Sequence, residues 1–141
     1  MGSFLGDFEL SVDHQLVVAS PTLLDSFVSI TAGLGAFFAE LRPKLVLAVG
    51  DTTTVIAAAF AARKSGCGFG HVEAGLRAFS RELPEEEHRI CADALADLLF
   101  APTPIAVANT VTLCPLAARN AYIRLPQITA IKPMNSERMI P

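Results

Sequence analysis

Asp51, Glu73 and Glu85 are the side chains of this sequence whose types and positions bear most directly on chemistry. Asp51 ends an apolar run, Leu45–Val49 (LVLAV) with Gly50, and precedes an Ala-rich stretch, Thr52–Lys64. A carboxylate there has a plain use as a helix N-cap, accepting the amide hydrogens of Thr53 or Thr54. Glu73 differs, because it directly follows the run Gly68–Val72 (GFGHV) and has no helix to cap. A carboxylate left at the end of a buried strand is a candidate for functional work. Glu85 heads the run Glu85-Glu86-Glu87 behind Pro84, where negative charge in a first helical turn is favourable by about 0.3–1 kcal/mol. It also stands one helical turn before Arg89, a spacing that pairs opposite charges on one helix face. Arg77, in the loop after Glu73, carries a guanidinium suited either to an anion or to solvent.

Several other chemistries are excluded. His71-Val72-Glu73 matches the H-x-E half of a zinc deaminase signature, but no P-C-x-x-C follows, so no metal is expected. Cys67, Cys91 and Cys114 are isolated and odd in number, which fits buried free thiols rather than a disulfide framework. Gly66, Gly68 and Gly70 lead into a strand rather than a helix, and no G-x-x-x-x-G-K-[ST] occurs, so dinucleotide and P-loop sites fail and no cofactor is expected. There is no G-x-S-x-G elbow for a serine nucleophile. The net charge of −3 has its basic residues scattered, which argues against a nucleic-acid partner.

The elements that must position these residues follow from periodicity. Ser20 and Pro21 read as cap and first residue of a helix whose apolar stripe is Leu23, Phe27, Ile30, Leu34, Phe38 and Leu41, ended by Pro43. Gly33 and Gly35 within it cost about 1 kcal/mol each relative to Ala. Leu45–Val49, Gly68–Val72 and Leu98–Ala101 read as strands, the first buried on both faces of a parallel sheet. Helices are expected over Thr52–Lys64, from Pro84 to about Asp97, and from Thr103-Pro104 onward. Alternating strands and helices predict an α/β fold, a parallel sheet flanked by helices on both faces. Ligands of such sheets bind beyond the carboxyl ends of the strands, which singles out Asp51, Glu73 and Thr103. At 141 residues and 52% hydrophobic, with mean hydropathy +0.46, one buried core is expected. Apolar stretches such as Val55–Ala62 are too short to span a bilayer, and no leader pattern opens the chain, so a cytoplasmic address without a membrane partner is expected. Short strands are expected around Ala121–Leu125 and Ile128–Ile131.

Four motifs in order, GDTTT at 50–54, GHVEAGLR at 70–77, Pro84-Glu85-Glu86 with Arg89, and ADLLFAPT at 96–103, resemble UDP-N-acetylglucosamine 2-epimerases. The resemblance covers about Asp7 to Asn109 and implies part of the N-terminal Rossmann-like half of a GT-B fold. Residues 1–110 are then a partial epimerase domain and 111–141 a divergent tail. The family interconverts UDP-GlcNAc and UDP-ManNAc through a 2-acetamidoglucal, with UDP leaving and returning, and serves cell-surface polysaccharide synthesis. Carried over by position, its catalytic carboxylates fall on Asp51, Glu73 and Glu85, with Arg77, Arg89 and His71 as substrate-binding or supporting residues. Carboxylates held near one another suit this chemistry, since their environments can push them apart into acid and base roles. His88 stands where the family usually has Asn. The family's N-terminal strand, its Gly-Thr-Arg-Pro-Glu loop and its second domain are not among these residues. The resemblance therefore implies a UDP-sugar substrate, inactivity of this chain by itself, and association with copies of itself or with a second half-domain. A non-catalytic α/β interaction module is the alternative from a different class.

Overall fold

A computed structural model describes residues 11–18, 21–113 and 121–124. Four parallel strands, β1 (Leu45–Val49), β2 (Gly68–Val72), β3 (Leu98–Ala101) and β4 (Ala121–Arg124), lie side by side in chain order. They are linked by helices α2 (Thr53–Lys64), α3 (Pro84–Leu95) and α4 (Pro104–Leu113), and α1 (Leu23–Leu41) precedes β1. Register is continuous, with Leu47 opposite Gly70, Gly70 opposite Leu98 and Leu98 opposite Ala121. The three expected strands appear over their expected residues. β4 falls within the expected Ala121–Leu125, and Ile128–Ile131 lies outside the described residues.

The core forms between one face of the sheet and the helices. Phe38 of α1, Val55, Ala58, Ala59 and Ala62 of α2, and Ala92 of α3 pack with Phe69 and Leu99. Small residues on α2 let the helix lie close on the strands, and Phe27 of α1 meets Phe60 of α2 edge-on at 5.9 Å. The opposite face contradicts the expectation of a strand buried on both sides. Leu45, Leu47 and Val49 point away from the helices and are 40%, 56% and 62% exposed. Consecutive strands joined by crossovers of one hand place their helices on a single side, so among the described residues no helix covers these side chains of β1. Gly70 sits in it beneath Leu47 and Phe100, where a Cβ would come within 2.5 Å of the leucine side chain.

The start of α1 also differs from expectation. Thr22 is the N-cap, its hydroxyl accepting from the Asp25 amide at 3.1 Å, and Leu23 and Leu41 of the expected stripe are exposed. Gly33 has a packing use, since Leu16 of the preceding segment lies over it, while His14 stacks on Phe37 at 4.1 Å. By length and composition alone α1 is long and apolar enough to cross a bilayer, which the sequence reading did not anticipate.

Candidate active site

Two polar clusters form at the carboxyl ends of the strands, and both draw most of their residues from the motifs. The first is sealed. Asp93, on the buried face of α3, places Oδ1 2.5 Å from His71 Nδ1, while its Oδ2 accepts from the Gly75 amide at 2.9 Å and from Arg77 Nη2 at 2.6 Å. The side chains of His71, Arg77 and Asp93 are fully buried. His71 Nε2 lies 2.8 Å from the Gly50 carbonyl, so the ring bridges this oxygen and Asp93. One aspartate thereby ties the turn after β1, the loop after β2 and helix α3 to each other. Neighbouring Glu86, 3% exposed, accepts from the Ala78 amide at 2.8 Å and so holds the far end of the same loop.

The second cluster is open. Asp51, Glu85, Glu87, His88 and Cys91 line a cavity of about 500 Å³ among the starts of α1, α2 and α3, within the size range of small-molecule sites. Asp51 is not the helix cap that its position suggested. Thr52 is the cap residue, and the Asp51 carboxylate is held instead by Arg89 of α3, while the Asp51 carbonyl stands 2.8 Å from His88 Nδ1. The expected Glu85–Arg89 pair is replaced by contacts from Arg89 to Asp51 and, at 3.5 Å, to Glu86. The reason is direction: Arg89 turns to Asp51 at the sheet end, and Glu85, at the cavity rim, has no ion pair among the described residues. Burial, together with the charge of Glu87, raises the Cys91 thiol above its ordinary range.

Glu73 lies on the adjoining loop, exposed, with its carboxylate 3.7 Å from the position a Gly50 Cβ would take. Its backbone is held in the left-handed region at φ 74°, where a non-glycine residue costs about 1–2 kcal/mol. Amides of Glu73 and Ala74 both donate to the Phe100 carbonyl, at 3.1 and 3.2 Å, fixing that conformation. Gly75 follows at φ 79° and packs so tightly that a Cβ would fall 2.1 Å from the Ala106 carbonyl oxygen. Asp51 and Glu85 thus share one cavity and Glu73 stands beside the Gly50 turn. His71 and Arg77 are spent inside the protein rather than turned to a ligand. Sequence reasoning missed Asp93 and the burial of Glu86, which lie two helical turns apart on one face of α3, a polar repeat on a side that also carries Ala92.

These motifs have counterparts in known proteins. A family model described as UDP-N-acetylglucosamine 2-epimerase matches residues 1–115. The chain belongs to that family. A UDP-N-acetylglucosamine 2-epimerase of Methanococcus maripaludis is 52% identical over 97 residues, which are 69% of this chain and 26% of that protein. A Neisseria meningitidis UDP-N-acetylglucosamine 2-epimerase is 36% identical over 100 residues, 68% of this chain and 27% of its own length. Among solved structures, the Methanocaldococcus jannaschii UDP-GlcNAc 2-epimerase superposes with TM-score 0.75 at 34% identity, covering 77% of this chain and 31% of that one. The Neisseria meningitidis enzyme bound to UDP-GlcNAc gives TM-score 0.75 at 33% identity, covering 79% and 31%. The parallel sheet flanked by helices is therefore part of a GT-B fold. The chain spans about a quarter of the length of the curated relatives it matches.

Proposed function

We propose that these residues form the carboxylate-bearing part of a UDP-GlcNAc 2-epimerase site, acting on a nucleotide sugar in the cytoplasm. The observation that carries this reading is the shared cavity of Asp51 and Glu85, with Arg89 fixing Asp51 and Glu73 on the adjoining loop. Asp51, Glu73 and Glu85 are the proposed catalytic groups, and Arg89 positions the first of them. His71 and Arg77 support the loops through Asp93. Elimination and re-addition of UDP at C1 and C2 need a base for the C2 proton and negative charge facing the cation that grows at C1. Carboxylates in unlike surroundings supply both. Asp51 is held by a cation and Glu85 and Glu73 are solvated, which is such a difference in surroundings.

Residues 1–110 are the family-derived domain in this reading and 111–141 diverge, although Ala121–Arg124 joins the sheet. Nucleotide binding requires a second half that these 141 residues do not contain, so the chain by itself is inactive and works with a second half-domain or a further copy. The proposed biological role is in cell-surface polysaccharide synthesis. The test is a proton NMR time course with UDP-GlcNAc in D2O, with and without the separately produced C-terminal half of the Methanococcus maripaludis relative. Loss of the sugar C2 proton is expected only with both halves, and not with Glu73→Gln. Failure of the complemented wild type to exchange that proton would overturn the reading. The bare sheet face favours a second one, a non-catalytic α/β interaction module, which would show protein association with no response to UDP.

A further inference from the structure

The three histidines of this chain stand in unlike surroundings. His71 has both ring nitrogens engaged in the sealed network, and His14 is stacked on Phe37. His88 is held by one nitrogen only. Its Nδ1 lies 2.8 Å from the Asp51 carbonyl, and a carbonyl oxygen only accepts, so the nitrogen facing it carries the proton. In the neutral ring the other nitrogen, Nε2, then bears a lone pair. That nitrogen makes no hydrogen bond among the described residues. Among the described residues Arg77 Nε is the sole side-chain nitrogen or oxygen both buried and unpartnered, so His88 Nε2 is open, not sealed. His88 lines the same cavity as Asp51 and Glu85.

We propose that His88 is the oriented hydrogen-bond acceptor of this cavity, taking a hydroxyl or amide hydrogen of the bound sugar on Nε2. The inference deepens the function proposed above and rests on it. Other acceptors in the cavity are less defined in direction. Glu85 and Glu87, on the same helix, are exposed and unanchored, and the Asp51 carboxylate is engaged by Arg89. Cys91 is held as a neutral thiol by burial and by Glu87. The wall given by α1 is apolar, formed by Leu23, Leu24 and Phe27, so no charge on that side competes for the ring. An acceptor fixed by the backbone through its other nitrogen loses little freedom on binding, which is how a polar group confers orientation in a largely apolar cavity.

Long-range proton–nitrogen NMR of the full chain, complemented with the separately produced C-terminal half of the Methanococcus maripaludis relative wherever UDP-GlcNAc or UDP is added, reads the ring directly, with His14→Asn and His71→Asn spectra assigning the signals. The expected result is a His88 ring protonated at Nδ1 and bare at Nε2, whose Nε2 resonance moves on addition of UDP-GlcNAc. Titration of His88→Asn, which keeps an amide donor on a shorter side chain, is expected to show about fivefold to tenfold weaker UDP-GlcNAc binding. His88→Gln, longer and able to reach the cavity, recovers part of that loss. A ring protonated at Nε2 and bare at Nδ1 overturns the proposal without any ligand. So does a wild-type chain that binds UDP-GlcNAc, seen by shifts at Asp51 and Glu85 amides, while the His88 ring stays unmoved. If UDP-GlcNAc and UDP move no signal of the complemented chain, the function reading falls and takes the sugar contact with it. That outcome is told apart from the others by the silence of Asp51 and Glu85.

Discussion

The sealed cluster around Asp93 and the open cluster around Asp51 use the same residue types to opposite ends. Asp93 accepts hydrogen bonds from three residues of the stretch 71–77, His71, Gly75 and Arg77. Asp51 has one carboxylate oxygen on Arg89 and lines a cavity with Glu85 and His88. A buried carboxylate is tolerable only when every lone pair has a partner, and once satisfied it defines a conformation rather than a reaction. A carboxylate with spare capacity beside a cavity can act on something else. Histidine repeats the contrast, with His71 saturated and His88 half engaged. Identity and nearness to a motif therefore do not distinguish a structural acid from a chemical one, whereas the count of satisfied positions does.

The largest effect that would test this division is Asp93→Ala. It leaves a buried guanidinium and an imidazole without their counter-charge, and breaking a buried pair costs about 3–5 kcal/mol. Since a domain has only about 5–15 kcal/mol of stability, the variant is expected to lose most of its cooperative unfolding transition, measured by circular dichroism in urea. An unchanged midpoint would mean that Asp93 does not bind the loops together. Next in size is Gly75→Ala, which combines a left-handed backbone with a collision against the Ala106 carbonyl. Overpacking and backbone strain together give an expected loss of about 2–4 kcal/mol, read in the same urea titration.

Glu73→Gly should move stability the other way. Glycine relieves the positive φ but brings more freedom to the unfolded chain, so a gain of about 0.5–1 kcal/mol is expected in the urea midpoint. The same change should abolish C2 proton exchange in the complemented system, a trade characteristic of strain stored at a working site. A destabilised Glu73→Gly would place Glu73 with the structural group instead. Smaller still is Asp51→Asn, where a partly exposed pair with Arg89 is exchanged for a neutral contact. The expected thermal cost is within about 1 kcal/mol, whereas the exchange reaction should again be lost.

Much of this division was hidden in the sequence, though the scaffold was not. The runs LVLAV, GFGHV and LLFA are apolar, short and closed by Gly50-Asp51, Glu73-Ala74-Gly75 and Pro102, so the strands were legible to the residue. Their carboxyl ends were legible too, and with them Asp51 and Glu73. Which neighbour each side chain would choose was not. Arg89 has acids within one turn on its own helix, yet it crosses to Asp51, a contact decided by the packing of α3 on α2. Asp93 read as an ordinary helical residue because its partners are a loop amide and side chains from distant segments. The bare sheet face was likewise illegible, since an apolar strand reads alike whether one side or both are covered.

Cys91 gives the finest test, because it lines the open cavity from the same helix that carries Asp93. Desolvation by burial comes first and the negative charge of Glu87 second, and both disfavour the thiolate, raising its pKa above the usual thiol value. The thiolate is the form that alkylates, so iodoacetamide should modify Cys91 more slowly at neutral pH than an unfolded control, and the rate should climb only above the ordinary thiol range. The linkage has a definite sign. A thiol that ionises less readily when folded leaves stability untouched below the unfolded value and subtracts from it as pH rises through and beyond that value. Glu87→Gln removes only the smaller cause, so it should bring the alkylation profile part of the way back toward the control. A Glu87→Gln profile identical to wild type would assign the whole shift to burial. An alkylation rate that already matches the unfolded control at neutral pH would show that the cavity wall is wet at Cys91 and that burial does not hold its thiol protonated.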